Sequence, residues 1–326
     1  MIRRAGHSAF IVIGLMALLF FATNVLGDPV ELMVSDDASE QAIASLRAKY
    51  GLDRPMYVRF TEFVGNVFIL DFDTSFRYNI PAKSLVFQRL PNTAVLAFVA
   101  WGIGMVGIPI GMLAARRPRG LVDRFVNVLS FAIISIPDFW LALLLILFIS
   151  VQLDILPTSG FVGLQPSRWH FIILPAVALS PRVLGRNAQI TRATMIEEMG
   201  KQYVATARAK GLGETTVLYT HVLKNASISI VTLMGDELAG FMNGATIVES
   251  IFGWPGLGKL LIDSINARDL PLITATVFVV ALMVMFINLT VDMVYTYLDP
   301  RIQYKQRSMP RANKDIVGIC KTAQQH

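Results

Sequence analysis

The chain has 326 residues, of which 54% are hydrophobic and 16% are charged, and its mean hydropathy is +0.56. Soluble domains carry about 25% charged residues, so this composition excludes an ordinary soluble domain. The net charge of +6 does not by itself indicate nucleic acid, because the placement of basic residues matters more than their sum in a membrane protein. We therefore expect a protein surrounded by membrane lipid, with no nucleic-acid partner.

Six segments are long and apolar enough to cross a bilayer, which takes about 20 residues. They are Ala9–Leu26, Thr93–Ala115, Phe125–Val151, Phe171–Ile190, Ile228–Val248 and Leu272–Leu298. The first follows Arg3 and Arg4 as the core of a signal peptide would. Its apolar core is longer than is typical, and no compelling cleavage site follows it, so we expect an uncleaved first helix.

Basic residues predict the orientation of these segments. With a cytoplasmic N-terminus, the inner segments contain 19 lysines and arginines and the outer segments contain 10, seven of them in one long loop. Both termini are therefore expected in the cytoplasm. The predicted regions are an N-terminal tail and first helix (1–27), an external, periplasmic segment (28–92), a five-helix core (93–300) with a cytoplasmic coupling loop (193–226), and a cytoplasmic tail (301–326).

No metal or cofactor site is expected. The only cysteine, Cys320, excludes a disulfide framework and any site built from several cysteines, and the four histidines lack metal-ligand spacing. The segment 253–259 has the GxxxxGK spacing of a phosphate-binding loop, but Leu260 replaces the required Ser or Thr and no strand is predicted before it. The topology places this segment outside, where we interpret it as a re-entrant loop.

Closely spaced glycines lie in the second apolar segment. Gly102, Gly104 and Gly107 have the spacing of a dinucleotide-binding fingerprint, but they fall inside a predicted helix. With Gly111, four residues after Gly107, they instead predict a close contact between two helices.

Two acids fall near the middle of the fifth apolar segment, Asp236 and Glu237. A charge at that depth costs about 2.5–3.5 kcal/mol, so it should face water or a partner. One explanation is a substrate path in which at least one carboxylate attracts a cationic group, such as the amino terminus of a peptide. The other is a hydrogen bond to a partner subunit or to Asn243. Asp138 is expected to relieve the helix break that Pro137 creates, and Asp292 is expected to be structural.

The loop Tyr203–Ala226 is polar and basic and is predicted to fold as helix, glycine turn and helix. Gly211 permits the chain reversal, and Arg208, Lys210 and Lys224 supply positive charge for an acidic groove. This layout is typical of a docking element for a soluble partner. Because the chain has no nucleotide site of its own, we expect ATP to be used by that partner.

The same loop resembles the EAA loop of ABC importer permeases, whose general pattern is EAA, three residues, Gly, nine residues and I-x-L-P. Ala207, Gly211 and Leu223 match it, whereas Ala205, His221 and Lys224 depart from it. The peptide-permease version, TARAKGL followed by H-x-L-K/R-N-A, is matched closely. Further matches include GDPVEL, YGLDRPMYVRF, RLPNTAVLA, SIPDFWLALLLI, ESIFGWPGLGKLLIDSINARDLPLI and VDMVYTYLDPRI. They extend from Gly27 to Ile302, and the chain is similar to the first, B-type permease of the dipeptide/oligopeptide/nickel family. The acid pair at 236–237 and Ser229, where the family usually has proline, are departures.

This resemblance implies an all-α polytopic membrane protein with six transmembrane helices and the ABC type I importer permease fold, located in the bacterial inner membrane. It implies a transport subunit rather than an enzyme, paired with a second permease, two cytoplasmic ATPases and an extracytoplasmic substrate-binding protein. The implied ATPase-docking residues are Ala205, Thr206, Ala207, Arg208, Ala209, Lys210, Gly211, Leu212, His221 and Leu223. The external loop near the binding protein contains Trp254, Pro255, Gly256 and Gly258, and the candidate substrate path contains Asp236, Glu237 and Asn243.

Short peptides are the expected substrates, with nickel chelates, glutathione and small oligosaccharides left open. An ion-gradient-driven transporter using Asp236 and Glu237 is the alternative from another class, but the matching interrupted helices of such folds are not found. Uptake that depends on ATP rather than on membrane potential would separate the two. A scaffold or receptor, the third alternative, predicts no transport phenotype.

Overall fold

The computed structural model describes residues 13–14, 16–21, 41, 53–159 and 169–298, without the side chains of 242–244, 292 and 295–298. The helices from residue 53 onward are α1 Met56–Phe68, α2 Ala82–Gly104, α3 Gly107–Ala115, α4 Leu121–Ile134, α5 Asp138–Leu145, α6 His170–Met199, α7 Gln202–Ala209, α8 Glu214–Thr216, α9 Leu223–Ile251, α10 Leu257–Asn266 and α11 Leu270–Leu298. Two π-helical segments, Ile146–Gln152 and Val217–Val222, follow α5 and α8. These described ranges contain no strand beyond one β-bridge between Thr74 and Pro81.

Helix α6 is the central helix of the bundle and packs against α2, α3, α4, α5 and α9. The apolar core around it includes the fully buried side chains of Leu96, Ala176 and Val183, and polar side chains such as Asn187 and Thr191 are buried along α6 as well. A second core lies under α1, where α2, α10 and α11 meet, and a third lies where α3, α6, α7 and α9 meet. Each core thus joins segments that are distant in the sequence.

The predicted close helix contact is confirmed at Gly104, Gly107 and Gly111. A Cβ atom added at Gly107 would lie 2.1 Å from the carbonyl oxygen of Leu184, and one at Gly111 would lie 2.4 Å from that of Ala188. Since real Cβ atoms do not approach backbone that closely, only glycine allows α3 to pack at this distance from α6.

Within the described residues, three helical segments are long and apolar enough to cross a membrane: Ala82–Ala115, Glu214–Phe241 and Leu270–Val291. A fourth is formed if Leu121–Ile134 and Asp138–Gln152, which are bent by 91°, make one span. Helix α6 is not among them, and most of the predicted first span lies outside the described residues. The number of six transmembrane helices therefore stays a prediction, as do the structures of segment 22–40 and of the tail after 301.

The sequence predicts a break at Pro137, and the structure shows it as the sharp bend between α4 and α5. Proline lacks an amide hydrogen and disfavours helical backbone at the residue before it, which explains the position. Asp138 becomes the first residue of α5, where a carboxylate interacts favourably with the helix N-terminus. The second predicted span is extended, because α2 begins at Ala82 rather than near Thr93.

Candidate functional site

The loop 203–226 has the predicted helix, turn and helix. Helix α7 ends at Ala209, and Gly211 adopts a φ of +80°, a conformation that favours glycine. The amide of Gly211 donates to the carbonyl of Arg208 at 2.9 Å, which closes the turn. The second helix starts at Glu214 and runs through the π-helical segment into α9, so the loop is continuous with a long apolar helix.

One face of this loop is packed against the bundle. Val204, Ala207 and Val217 are buried in the third core, together with Met195 of α6 and Ala115 of α3. Of the predicted docking residues, Ala207 therefore faces inward, and His221 and Leu223 are half-buried. The exposed ones are Ala205, Thr206, Arg208, Ala209, Lys210, Gly211 and Leu212. These exposed residues form the outer face of the loop.

The two helices of the loop are also joined by a surface ion pair. The guanidinium of Arg208 donates to the Glu214 carboxylate through Nη2 at 2.6 Å and through Nε at 3.1 Å. These hydrogen bonds raise the pKa of Arg208. One of the three basic residues predicted to face a partner is thus paired within the loop, whereas Lys210 and Lys224 are exposed.

A buried carboxylate connects the end of α6 to the start of α7. Glu198 accepts hydrogen bonds from Lys201 Nζ at 2.5 Å and from Tyr203 Oη at 2.7 Å. Burial alone would raise the pKa of Glu198, but these two donors outweigh it and lower the pKa. Burial and the bond to Glu198 raise the pKa of Tyr203 to about 12. This junction is not among the predicted sites, although the spacing of Glu198 and Lys201 is typical of a helical ion pair.

At the other end of α9, Glu249 is fully buried. Its carboxylate accepts hydrogen bonds from the hydroxyl of Thr93 at 2.8 Å and from the amide of Lys259, in the first turn of α10, at 3.0 Å. The Thr93 hydroxyl in turn accepts the amide of Leu257 at 2.7 Å. One carboxylate, which is not among the predicted site residues, therefore joins α2, α9 and α10.

The same geometry explains the GxxxxGK motif. A helix N-terminus with free amides is a natural anion site, and in this chain the anion is the Glu249 side chain. A Cβ atom added at Gly256 would lie 2.3 Å from a Glu249 carboxylate oxygen. The amide at this helix N-terminus thus binds a side chain of the protein itself. The Lys259 ammonium donates to the Asp263 carboxylate at 2.9 Å.

The predicted external-loop residues lie at this turn, where Gly253 has a φ of +62°. Trp254 and Gly256 are buried, and Pro255 and Gly258 are half-buried. The indole of Trp254 donates to the carbonyl of Asn92 at 3.0 Å. This loop is therefore fastened to the middle of α2, and its tryptophan is buried in the core.

The two acids of the predicted substrate path have an intramolecular partner on α6. Nη1 of Arg186 lies 2.8 Å from Oε1 of Glu237, and Nη2 lies 3.8 Å from Oδ2 of Asp236. In the charge count Arg186 belongs to the cytoplasmic basic residues, so the sequence does not predict that it pairs with these two acids. The side chain of Asn243 lies outside the described residues. No group of residues that could hold a metal ion is found in the described part of the chain.

Known proteins with similar sequences cover most of this chain. The oligopeptide transport system permease protein AppB of Bacillus subtilis is 38% identical over 93% of this chain and 98% of its own length. The glutathione transport system permease protein GsiC of Salmonella typhimurium is 37% identical over 88% of this chain and 93% of its own length.

Solved structures establish the fold. The inward-facing MetNI methionine ABC transporter matches with a TM-score of 0.53 and 20% identity over 66% of this chain and 96% of that chain. An amino acid ABC transporter matches with a TM-score of 0.53 and 18% identity over 66% of this chain and 94% of that chain. The predicted ABC importer permease fold is therefore confirmed. Residues 107–304 match the family described as "Binding-protein-dependent transport system inner membrane component", and the chain belongs to this family of membrane transport permeases.

Proposed function

We propose that this chain is one of two permease subunits of an ATP-driven importer for short peptides in the bacterial inner membrane. The identity of 38% to an oligopeptide permease along nearly the whole of both chains carries this proposal. A second, similar permease completes the path, two ATPases bind on the cytoplasmic side, and an external binding protein delivers the substrate. Both termini are cytoplasmic, which places the loop 203–226 beside the ATPases.

The outer face of the loop is the ATPase-docking surface in this proposal. Its inner face is packed on α3, α6 and α9, and Glu198 fastens its start to α6. A movement of the ATPases would therefore move the membrane helices directly, because the loop 203–226 is packed against them rather than being a flexible linker. The fastened loop around Trp254 lies at the opposite end of α9, where the binding protein would dock.

Glutathione is a second candidate substrate, since the glutathione permease is 37% identical to this chain. The two identities differ too little to choose between the substrates. Glutathione is itself a tripeptide, so both candidates require a path for a small, charged, peptide-like molecule.

Uptake of a labelled tripeptide by whole cells, with and without the gene for this chain, tests the proposal. We expect ATP-dependent uptake that is lost on deletion and restored by the plasmid-borne gene. Labelled glutathione forms a parallel arm. Uptake of both compounds that is unchanged by deletion, or that follows the membrane potential rather than ATP, would contradict the peptide-importer proposal.

Gly211→Val is expected to reduce peptide uptake about tenfold or more while the permease remains in the membrane. A β-branched residue is strained at a φ of +80°, by about 1–2 kcal/mol or more, so the turn and the docking surface would rearrange. Uptake and ATPase co-purification are the measurements.

Gly213→Val is the matched control for this change. Gly213 is two residues away, is also exposed, and has φ −62° and ψ 144°, a conformation that valine adopts readily. No atom lies within 4 Å of an added Cβ at either glycine. Equal effects of the two substitutions would show that the turn conformation is unimportant for docking.

A further inference from the structure

Five ionisable side chains from three helices, α5, α6 and α9, form a row of alternating charge. Arg186 of α6 lies between Glu237 and Asp236 of α9. Arg182, one turn earlier on α6, lies close enough to attract both Glu237 and Asp138 of α5. Three carboxylates against two guanidiniums leave the row with one excess negative charge.

The members of this row differ in their exposure. The side chain of Glu237 is 3% exposed, whereas those of Arg186 and Asp236 are 48% and 70% exposed. Asp236 lies inside the apolar helical segment Glu214–Phe241 and near the middle of the predicted span Ile228–Val248. A charged side chain at the middle of a span does not face hydrocarbon. The exposed side of the row therefore faces either a water-filled path or another subunit.

A water-filled path fits the charges better than a buried subunit contact. Burying Asp236 and Arg186 at an interface would remove both from water, which is unfavourable unless new partners for both charges were supplied. A path leaves them hydrated and requires no fixed partner. The excess negative charge would attract a cation to the one carboxylate that is mostly exposed.

We propose that Asp236 binds the cationic amino group of a peptide in the translocation path, and that Glu237 keeps Asp236 available by holding Arg186. This inference rests on the proposed peptide function. Glu237 is the nearer partner of Arg186, at 2.8 Å against 3.8 Å for Asp236. Without the Glu237 charge, Arg186 would close on Asp236 and neutralise it.

Four variants of the complete importer test this assignment of roles. The importer is reconstituted in proteoliposomes with its second permease, ATPases and binding protein, and uptake of labelled trialanine is measured. Asp236→Asn and Glu237→Gln should each lower uptake about tenfold. The charge-balanced variant Arg186→Gln/Glu237→Gln should recover uptake to within about threefold of the wild type, and adding Asp236→Asn to it should remove that recovery.

The readouts separate this role from a structural one. A purely structural ion pair also predicts recovery in the charge-balanced variant, but it predicts no effect of Asp236→Asn in either background, and that result would overturn the inference. Loss of the second permease on purification of the Asp236→Asn importer would place Asp236 at the subunit interface and would likewise overturn it. If the wild-type importer transports neither trialanine nor glutathione, the proposed function fails and this inference fails with it.

Discussion

Replacing Glu249 with alanine is expected to destabilise the purified permease by about 2–5 kcal/mol and to abolish peptide uptake. The change would leave the Lys259 amide and the Thr93 hydroxyl without their buried acceptor, and each unsatisfied group costs about 1–3 kcal/mol. It would also leave a cavity between α9 and Gly256. Thermal unfolding in detergent and protease sensitivity of the segment 252–256 are the measurements.

Two controls sharpen this prediction. Glu249→Gln retains the size and one acceptor oxygen, so we expect a smaller loss of stability than with alanine. Ser250→Ala removes a neighbouring hydroxyl that donates within its own helix, to the carbonyl of Thr246 at 3.0 Å, and should change stability by less than about 0.5 kcal/mol. A Glu249→Ala protein as stable and as active as the Ser250→Ala protein would show that the carboxylate does not hold the segment 252–256.

Features that a short stretch of sequence determines were predictable. The turn at Gly211 needs a residue that tolerates positive φ, and glycine between two helical patterns indicates this directly. The spacing of Gly107 and Gly111 places both glycines on one face of a helix, which predicts a close contact without naming the partner helix. The bend at Pro137 follows from the chemistry of proline itself.

Features that depend on the pairing of distant segments were not predictable. Arg186 meets Glu237 only because α6 and α9 pack in one particular register, and a single sequence does not contain that register. Glu249 reaches the first turn of α10 because the chain reverses at Gly253. The identity of the partner therefore required the structure in both cases, although an ionisable residue within an apolar segment indicates a functional position from the sequence alone.

The close contact between α3 and α6 leads to the second large effect. Gly107→Ala is expected to destabilise the permease by about 3 kcal/mol, and the double variant Gly107→Ala/Gly111→Ala is expected to prevent assembly. The added Cβ atoms would lie 2.1 Å and 2.4 Å from backbone carbonyl oxygens of α6. Backbone does not yield as a flexible side chain does, so the helices must separate, and overpacking of this kind costs typically 1–3 kcal/mol or more.

Gly102→Ala is the matched control, because it adds the same methyl group to the preceding helix of the same apolar segment. No atom lies within 4 Å of an added Cβ there, and alanine is the better helix former by about 1 kcal/mol. Yield of the complex and thermal unfolding of the purified importer should therefore be unchanged or improved in Gly102→Ala and reduced in Gly107→Ala. Since α6 also carries Arg186 and the Glu198 junction, separating it from α3 would weaken both the proposed substrate path and the proposed connection to the ATPases. Equal stability of the two alanine variants would mean that α3 and α6 do not pack through these glycines.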